Sequence, residues 1–562
     1  MSFVKEITEE NMVLASLSSL GVDCLFGCED QGFMFPQDTN VRYYRMKHEQ
    51  AAVHAADGFA RVTGKPGLVL LSSAAGITNG ITGIATAFSD SVPLVIIAGP
   101  LQENSLYQDA FGELDILGLT MAITKHAFKI NLKDAFQDVL KNALTIATDG
   151  RPGPVLIELT TDVIPLMEIP TNRQVLEKAN KKLSEKLIER AKAYIETAGK
   201  PVLFVGGGVI SSGAADELRE IVQQSQIPVV SSLLGIGAME AENPLYLGML
   251  GMHGTYAANK AVHQCDLLIC IGVRFSDRVT GKISSFSPKS RKIHVDIDPA
   301  EINKIITVDL PIVSDAKKFL SSIKNLLDYQ KIHANTEGWK SETVDWKRTV
   351  PRFNHSNSVL SPQTVIRLLS ECSNQDAVVV TDVGQHQIWT AHHYAFTQPR
   401  TLITSGGLGT MGYGLPATIG AAAACPGSTV ICVSGDGSFQ MNLQELITVA
   451  NYQLPIKIAI LNNGYLGMVR QWQELFYQRR YSEVKLTSPN FAQLAQAYGV
   501  TGFRARSEVE AKQVIKDAFQ QPGPALMEFD IIEEENVYPM VPLNHSNHQT
   551  ILSREQKAQA PV

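Results

Sequence analysis

Short apolar runs alternate with helix-length stretches over most of the chain, and this alternation restricts the fold more than any other feature. In the first 170 residues the runs are β-rich and nearly continuous, as at residues 67–71, 93–97 and 154–157. Strands that are apolar on both faces are typical of a parallel sheet covered by helices on both sides. The pattern therefore predicts an α/β fold with doubly wound parallel sheets.

The same alternation returns twice along the 562 residues. Further apolar runs lie at residues 201–205, 267–271, 293–297, 377–380, 428–433, 456–461 and 525–529. Two polar stretches without a clean period, residues 172–200 and 327–358, are interpreted as linkers, the first running into a surface helix. The sequence thus predicts three α/β domains, the first and third of one kind, at residues 1–170, 190–330 and 360–540.

Composition excludes several other classes of protein. Hydrophobic residues make up 44% of the chain and charged residues 19%, unlike a disordered chain. The net charge of −7 gives no sign of nucleic-acid binding through bulk positive charge. No run of about 20 apolar residues is free of helix breakers, so no membrane span is expected. Because the N-terminus lacks a signal core and the seven cysteines are scattered, a cytoplasmic location with reduced thiols is expected.

A Gly-Asp-Gly-Ser sequence in the third segment is the most informative motif. Residues 435–438 follow the apolar run 428–433 and precede a helix-like stretch, residues 439–450. They therefore lie where a strand ends and a helix begins, which is where α/β folds bind phosphates. The glycines let backbone N–H groups approach anionic oxygens. Ser438 can donate to a phosphate, and Asp436 offers Mg²⁺ a carboxylate oxygen.

A second polar group follows the next apolar run. Asn463 lies 27 positions after Asp436, directly beyond residues 456–461 and Asn462. In a strand–helix–strand unit the two strand ends emerge side by side, so both side chains can reach one cation. A Gly-Asp-Gly sequence alone is usually an ordinary turn. Its combination with Asn463 predicts a site for a metal-bound diphosphate.

These residues resemble the diphosphate–metal motif of thiamine-diphosphate enzymes. Residues 436–477 are similar to the catalytic subunit of acetohydroxyacid synthases, also called acetolactate synthases, and so are residues 382–387, 405–414 and 534–542. The resemblance implies an N-terminal pyrimidine-binding domain, a central FAD-binding domain and a C-terminal diphosphate- and Mg²⁺-binding domain. The implied activity joins the hydroxyethyl unit of decarboxylated pyruvate to a second 2-oxoacid, pyruvate or 2-oxobutyrate, in branched-chain amino acid biosynthesis.

The resemblance also assigns roles to residues of the third domain. Asp436, Asn463 and the main-chain oxygen of Tyr465 are implied ligands of Mg²⁺. Met411 is the implied apolar wedge that bends the cofactor, because methionine supplies bulk without competing polar atoms; core packing is the alternative. The implied contacts of thiamine diphosphate are Gln385, His386, Gly409, Met411, Gly435, Asp436, Gly437, Ser438, Asn463, Leu466, Gly467 and Met468.

Glu49 is the residue that the resemblance assigns to activation of the cofactor. Thiamine diphosphate must lose its C2 proton, and a carboxyl group that protonates pyrimidine N1′ turns the 4′-amino group into an internal base. Glu49 enters an Ala-rich stretch with few polar neighbours, residues 51–60. Taken alone it fits a surface residue at a helix start, but its surroundings resemble the family's catalytic-glutamate motif. In this architecture Glu49 and Asp436 meet across two subunits, which implies at least a homodimer.

The middle segment resembles the FAD-binding domain of the same family. A strand-end carboxylate such as Asp296 suits a ribose on chemical grounds alone. The flavin of this family is structural, without net redox chemistry. The implied contacts of FAD are Arg151, Gly206, Gly207, Gly208, His253, Gly254, Arg274, Asp296 and Ile297.

The resemblance also implies a pocket for the acceptor 2-oxoacid. Arg278 would bind its carboxylate, for which a planar two-pronged cation is suited; a salt bridge with Asp277 is the alternative. Phe111, Met252 and Trp472 would form the walls, and Trp472 resembles the residue that favours 2-oxobutyrate over pyruvate as acceptor. The implied partners are small 2-oxoacids, a second copy of the chain or a dimer of dimers, and a small regulatory subunit.

The first domain departs from the family pattern on one wall. The altered positions are residues 28–33 in place of Tyr-Pro-Gly-Gly-Ala, Ala74-Ala75, Gly112 and Thr161. These changes leave open a second hypothesis, a thiamine-diphosphate decarboxylase or carboligase with another donor or acceptor. A third is a non-catalytic relative kept as a binding subunit, although a scaffold has no need of an intact Glu49 and Asp436.

Overall fold

Three six-stranded sheets follow one another along the chain. The computed structural model describes residues 16–28, 41–101, 114–130, 136–160, 183–348 and 359–554. Every pairing between neighbouring strands of these sheets is parallel. The predicted α/β fold with doubly wound parallel sheets is confirmed, because buried apolar cores cover both faces of each sheet.

The first sheet lies within the first 160 residues. Its strands are β1 (Cys24–Gly27), β2 (Arg42–Arg45), β3 (Gly67–Leu71), β4 (Leu94–Leu101), β5 (His126–Ile130) and β6 (Pro154–Thr160). They lie in the order β2-β1-β3-β4-β6-β5. The accompanying helices are α1 (Glu49–Thr63), α2 (Ala74–Asp90), α3 (Ile116–Thr120) and α4 (Phe136–Thr148). Neighbouring residues of β3, such as Val69 and Leu70, enter separate cores on opposite faces.

The second sheet lies in the middle of the chain. Its strands are β7 (Pro201–Val205), β8 (Val229–Ser231), β9 (Tyr246–Met249), β10 (Leu267–Ile271), β11 (Arg291–Asp296) and β12 (Leu310–Val313). They lie in the order β12-β11-β10-β7-β8-β9. The accompanying helices are α5 (Glu185–Thr197), α6 (Gly207–Ser211), α7 (Ala215–Ser225), α8 (Tyr256–Gln264), α9 (Asp277–Thr280), α10 (Ala316–Ile323) and α11 (Tyr329–Arg348).

The third sheet repeats the strand arrangement of the first. Its strands are β13 (Val378–Thr381), β14 (Leu402–Ile403), β15 (Val430–Gly435), β16 (Ile456–Asn462), β17 (Thr501–Ala505) and β18 (Ala525–Asp530). They lie in the order β14-β13-β15-β16-β18-β17. The accompanying helices are α12 (Pro362–Cys372), α13 (Gln385–His393), α14 (Gly414–Ala424), α15 (Asp436–Phe439), α16 (Leu446–Asn451), α17 (Gly467–Phe476), α18 (Phe491–Ala497) and α19 (Glu508–Gln520).

The prediction of an irregular linker at residues 327–358 is wrong, since α11 occupies most of it. Its buried side chains recur at spacings of four and three, which is the helical period: Ile332, Thr336, Trp339, Thr343 and Trp346. The stripe packs on the second sheet, and the Trp339 indole donates to the Pro201 carbonyl at 3.0 Å. Two members of this stripe are threonines in a polar stretch, so the sequence shows no clear apolar period there. No helix within the described ranges has the length and apolarity that crossing a membrane requires.

The first and third sheets are joined by a close crossing of α1 and α14. A Cβ atom added at Gly58 would clash with the main chain of Ala417, and one at Gly420 would clash with that of Ala55. The two glycines therefore let the helix backbones touch, as residues with side chains could not. One continuous core extends from the first sheet through this crossing into the third.

The segment after residue 534 packs against its own chain. It has little regular structure, yet Val537, Met540 and Val541 are buried. The backbone N–H of Val541 donates to the Met252 carbonyl at 2.7 Å, and the Asn547 amide donates to the Val279 carbonyl at 2.9 Å. The segment thus ties the third sheet region to the loops of the second.

Candidate functional site

A cavity of about 2190 Å³ is lined by residues from all three sheet regions. Pockets for one small molecule usually measure about 300–1,000 Å³, so this cavity has room for more than one ligand. The predicted site residues that line it are Arg151, Gly207, Gly208, Met252, His253, Arg274, Arg278, Asp296, Ile297, Gln385, His386, Gly409, Met411, Gly435, Asp436, Gly437, Ser438, Asn463, Tyr465, Leu466, Gly467, Met468 and Trp472.

Other predicted site residues lie elsewhere or outside the described residues. Glu49, Gly206 and Gly254 do not line the cavity. Gly206 packs against the main chain of Gly272, and Gly254 donates to the Gly251 carbonyl within the turn that precedes α8. Phe111 lies outside the described residues, as do Gly112, Thr161 and residues 29–33 of the altered first-domain wall.

Asp436 and Asn463 lie at the ends of neighbouring parallel strands. β15 pairs with β16 in a register that places Gly435 opposite Leu461. Helix α15 begins at Asp436, and Asn463 is the first residue after β16. The backbone N–H of Asn463 donates to the Asp436 carboxylate and helps lower its pKa. The two predicted metal ligands are therefore adjacent.

The surroundings of Asp436 fit a bound cation. Its side chain is buried, and burial raises the pKa of the carboxyl to about 6, while a hydrogen bond from the Ser488 hydroxyl at 2.9 Å acts in the opposite direction. No lysine or arginine of the described chain forms an ion pair with it. A buried carboxylate without a counter-ion costs free energy, which a bound Mg²⁺ would offset.

The other atoms that could coordinate a metal beside Asp436 are neutral oxygens. The Asn463 side-chain oxygen accepts from the Tyr465 backbone N–H at 3.1 Å, which brings the Tyr465 peptide to the same place. Among the described residues, no group of three His, Cys, Asp or Glu side chains could hold a metal. One carboxylate with amide and main-chain oxygens is a donor set that suits Mg²⁺ better than zinc.

Two helix N-termini and an unpaired histidine face the same part of the cavity. Helices α13 and α17 begin at Gln385 and Gly467, and both residues line it. First-turn N–H groups have no partner within the helix and favour anions. The Nε2 atom of His386 is buried without a partner in the described chain. Burial lowers the pKa of His386 to about 3, while a hydrogen bond to the Asp382 backbone acts in the opposite direction, so its ring is neutral at pH 7.

The side-chain amide of Gln385 is committed within the protein. It donates to the Gln471 side chain at 2.8 Å and to the Glu535 carbonyl at 2.9 Å, and its oxygen accepts from Asn463 at 3.3 Å. The backbone at the start of α13 is therefore the part of Gln385 that can bind an anion. Its side chain instead fixes the relative positions of α13, α17 and the chain after residue 534.

Met411 lies on a loop that is held from both sides. It is half-buried and lines the cavity, and the glycines around it have positive φ: Gly409 at 69° and Gly412 at 88°. The Asn442 amide donates to the Gly412 carbonyl at 2.7 Å. Asn442 lies in a turn that splits the single helix expected at residues 439–450 into α15 and α16.

Glu49 is the first residue of α1 and is half-buried. His48 caps the helix by accepting from the Gln50 backbone N–H at 3.2 Å. The Glu49 carboxylate accepts from the Asn79 amide at 3.0 Å, and its stem lies beside Gly76. Within one chain this carboxylate faces α2 and is separate from the cavity that contains Asp436.

The end of the cavity near the second sheet offers further unpaired groups. Arg274 has no hydrogen bond or ion pair among the described residues, and burial and the charge of Arg151 lower its pKa. The Nδ1 atom of His253 is buried without a partner. Burial raises the pKa of Asp296 to about 6, and its carboxylate accepts from the Asp298 N–H at 2.9 Å. A cation, a ring nitrogen and a strand-end carboxylate fit the diphosphate and ribose of a dinucleotide.

The predicted acceptor pocket is open. Arg278 is exposed and contacts the Asp277 carboxylate at 3.3 Å, the salt bridge that the sequence left as the alternative. The Arg278 carbonyl accepts from the Met252 N–H at 2.7 Å, which sets these two residues side by side. Trp472 is half-buried on α17 and packs against Phe476. Of the four predicted pocket residues, Met252, Arg278 and Trp472 line the cavity.

Comparison with known proteins identifies the family. Three thiamine pyrophosphate enzyme models match: the N-terminal TPP binding domain at residues 7–119, the central domain at 188–323 and the C-terminal TPP binding domain at 382–529. The acetolactate synthase large subunit of Haemophilus influenzae is 40% identical over 99% of this chain and all of its own length. The isozyme 2 large subunit of Escherichia coli is 42% identical, over 96% and 98%. The chain belongs to the acetolactate synthase large subunits.

This membership confirms what the sequence predicted about family and enzyme class. The acetolactate synthases are thiamine-pyrophosphate enzymes of the carboligase type, and all three of their domains are matched here. The isozyme 3 large subunit of Escherichia coli is similar as well, 40% identical over 94% of this chain and 96% of its own.

Two carboxylates that support the end of the cavity that contains Asp436 were not predicted from the sequence. Asp382 is buried and accepts from the backbone N–H groups of Gly412 and Gly414 at 2.9 and 3.2 Å; burial raises its pKa to about 6. Asp90 of α2 accepts from the Gly406 and Gly407 N–H groups at 2.9 and 2.6 Å. Both hold the Met411 loop. Asp382 could have been found, because it directly follows an apolar run; Asp90 ends a helix distant in sequence and gives no such signal.

Proposed function

We propose that this chain is the catalytic subunit of an acetolactate synthase, which decarboxylates pyruvate and joins its two-carbon unit to a second 2-oxoacid. The observation that carries the proposal is the meeting of Asp436 and Asn463 at adjacent strand ends, beside the unpartnered Nε2 atom of His386. This is the donor set for a metal-bound diphosphate, and it opens into a cavity with room for a second ligand.

We assign a role in holding the cofactor to each residue at the end of the cavity that contains Asp436. Asp436, Asn463 and the Tyr465 carbonyl would bind Mg²⁺, while His386, Ser438 and the first turn of α13 would bind the diphosphate oxygens. Met411 would pack against the bound cofactor, since Asp382 and Asp90 fix the loop that carries it. When bound, thiamine diphosphate supplies the nucleophilic carbon that attacks the 2-oxoacid carbonyl.

Glu49 holds a proton at pyrimidine N1′. In one chain its carboxylate lies outside the cavity and is oriented by Asn79. The proposal therefore places Glu49 in the site of a partner subunit, which makes a homodimer the smallest active unit. Assembly into a dimer of dimers and a small regulatory subunit are further proposals, the latter supported by the name large subunit that the relatives carry.

The end of the cavity near the second sheet is proposed to hold FAD. Arg274 would neutralise its diphosphate, Asp296 would accept from its ribose, and His253 would supply a neutral ring nitrogen. Arg151 is already paired with Asp298 at 3.3 Å and with Glu301 at 2.9 Å, so its proposed part is to add charge at the rim.

The acceptor 2-oxoacid is proposed to bind in the cavity between the end that contains Asp436 and the end near the second sheet. Arg278 is open enough to exchange its contact with Asp277 for a two-pronged contact with a substrate carboxylate. Met252 and Trp472 exclude water from the reacting carbons, and Phe111 is the third proposed wall. Exclusion of water favours addition to the second 2-oxoacid over protonation, which would release acetaldehyde.

The test is product identification with the purified chain, Mg²⁺, thiamine diphosphate and FAD. Release of CO₂ and the organic product are measured with pyruvate alone, then with added 2-oxobutyrate, then with added aldehydes. Acetolactate from pyruvate, and acetohydroxybutyrate when 2-oxobutyrate is added, support the proposal. Acetaldehyde as the main product, or products formed from aldehydes alone, would support the second hypothesis, in which the altered first-domain wall has changed the donor or acceptor.

A further inference from the structure

The segment that leads into Glu49 is held by a carboxylate from another part of the chain. Glu445 accepts the backbone N–H of Lys47 at 3.0 and 3.3 Å from its two oxygens, and the N–H of His48 at 3.1 Å. Lys47 and His48 immediately precede Glu49, whereas Glu445 lies in the short 3₁₀ turn, Leu443–Glu445, before α16. These bonds reach from the third sheet region to the first turn of α1.

The burial of Glu445 shows that this contact is specific. Its side chain is fully buried, and burial raises the pKa of the carboxyl, opposed by hydrogen bonds from the Thr448 hydroxyl and the Lys47 and His48 backbone. A buried carboxylate costs free energy that charge-assisted hydrogen bonds offset. An apolar side chain would fill the space without that cost. We therefore interpret the carboxylate as a group that orients two backbone N–H donors.

The same turn is linked to the Met411 loop. Asn442, three residues before Glu445, donates to the Gly412 carbonyl at 2.7 Å. The Cys28 thiol is also near Glu49 and Glu445. Burial raises the pKa of this thiol, and the negative charges of both carboxylates raise it further. One short stretch after Asp436 therefore contacts the Met411 loop and the start of the Glu49 helix.

We propose that Glu445 is a positioning residue for Glu49, fixing the first turn of α1 so that the Glu49 carboxyl meets pyrimidine N1′ at the correct place. This inference rests on the proposed role of Glu49. Because Glu445 is buried, water cannot replace its hydrogen bonds, and a displacement of about 1 Å at a catalytic group can lower a rate by about 100-fold.

The test compares three variants of the full chain. Glu445→Ala removes both acceptors, and Glu445→Gln keeps one oxygen as an acceptor. Tyr452→Phe is the matched control, because the Tyr452 hydroxyl accepts from the Arg45 N–H of the same segment at 2.8 Å, but at an exposed position where water can replace it. Two readouts are used: deuterium uptake of the backbone at residues 45–52 without cofactor, and exchange of the C2 proton of bound thiamine diphosphate.

For Glu445→Ala we expect faster deuterium uptake at residues 45–52 and C2 exchange slowed by about 10–100-fold, with the affinity for thiamine diphosphate within about twofold of wild type. Glu445→Gln should recover at least about half of the lost rate on a logarithmic scale, and Tyr452→Phe should match wild type. If Glu445→Ala does not fold, Glu445→Asp, which withdraws the acceptor by one methylene, takes its place with the same expectation.

Wild-type C2 exchange in the Glu445 variants would overturn the inference, as would equal losses in Glu445→Ala and Tyr452→Phe. Because C2 exchange needs no 2-oxoacid, the result remains readable even if pyruvate is not the donor. Failure of the proposed function appears separately, as normal C2 exchange in the wild-type chain without formation of acetolactate.

Discussion

At the scale of single residues, the site depends on carboxylates that are buried without cations. Burial raises the pKa of both Asp436 and Asp382 to about 6. The difference between them lies in their partners. Asp382 accepts from four donors of its own chain, so it is structural, whereas Asp436 accepts a hydroxyl and backbone N–H groups and faces the cavity. Asp436 is therefore the carboxylate that we assign to Mg²⁺ in the proposed function.

The raised pKa of Asp436 predicts how cation binding depends on pH. Protons compete with Mg²⁺ for this carboxyl, so Mg²⁺ affinity should fall as the pH drops through about 6 and should level off above about 7. Titration calorimetry between pH 5.5 and 8 in the presence of thiamine diphosphate measures it. Asp436→Asn should bind Mg²⁺ weakly with little pH dependence from this group, and an unchanged profile in that variant would contradict the assignment.

The ionised Asp436 carboxylate, which would bind the cation, should also lower the stability of the metal-free protein. In the cofactor-free protein the folded-state pKa of Asp436 lies above its usual value of 3.8, so its contribution to stability is largest below pH 3.8 and is lost as the pH rises through about 6. Asp436→Asn removes this cost and should raise the Tm of the metal-free protein at pH 8 more than at pH 5. Equal Tm changes at both pH values would argue against a buried charge.

At the scale of elements, long apolar strands were predictable and weakly patterned elements were not. The runs at residues 67–71 and 267–271 coincide with β3 and β10. β14 has two residues and β8 three, too short for a period to show. α11 was missed because threonines occupy part of its buried stripe. The strand-end motifs at Asp436 and Asn463 were predictable for the opposite reason, since two parallel strands joined by a helix end at the same edge of the sheet.

The crossing of α1 and α14 predicts opposite outcomes for two glycines within helices. Gly420→Ala would press a methyl group against the main chain of Ala55, which should destabilise the protein by about 1–3 kcal/mol and disturb the Glu49 helix. Gly338→Ala is the control, because a Cβ at that position of α11 meets nothing within 4 Å. It should be neutral or stabilising by up to about 1 kcal/mol. Thermal melts and turnover of both variants test this difference. Equal effects in the two variants would contradict the close contact of the helix backbones at Gly420.

At the scale of the whole molecule, the cavity predicts that flavin and thiamine diphosphate bind side by side but on different groups. Arg274→Met should lower the flavin content of the purified protein, measured by its visible absorbance, while leaving the affinity for thiamine diphosphate within about twofold, because Arg274 is unpaired and faces the end near the second sheet. A colourless wild-type protein that gains nothing from added FAD would refute the flavin assignment.

The position of Glu49 outside the cavity of its own chain predicts complementation between inactive variants. Glu49→Gln and Asp436→Asn should each abolish turnover while leaving the fold intact. Co-expressed, they should regain about a quarter of wild-type activity, because about half of the dimers are mixed and each mixed dimer has one intact site. If both residues served the same site within one chain, the mixture would stay inactive.

The central proposal is that this chain carries out the carboligation of pyruvate. The most direct measurement is carbon-13 NMR of the product formed from labelled pyruvate by the wild-type chain and by Glu49→Gln, each loaded with Mg²⁺, thiamine diphosphate and FAD. We expect labelled acetolactate and CO₂ from the wild type, and neither from the variant. Acetaldehyde or unchanged pyruvate from a folded, cofactor-loaded wild type, or full acetolactate formation by Glu49→Gln, would contradict it.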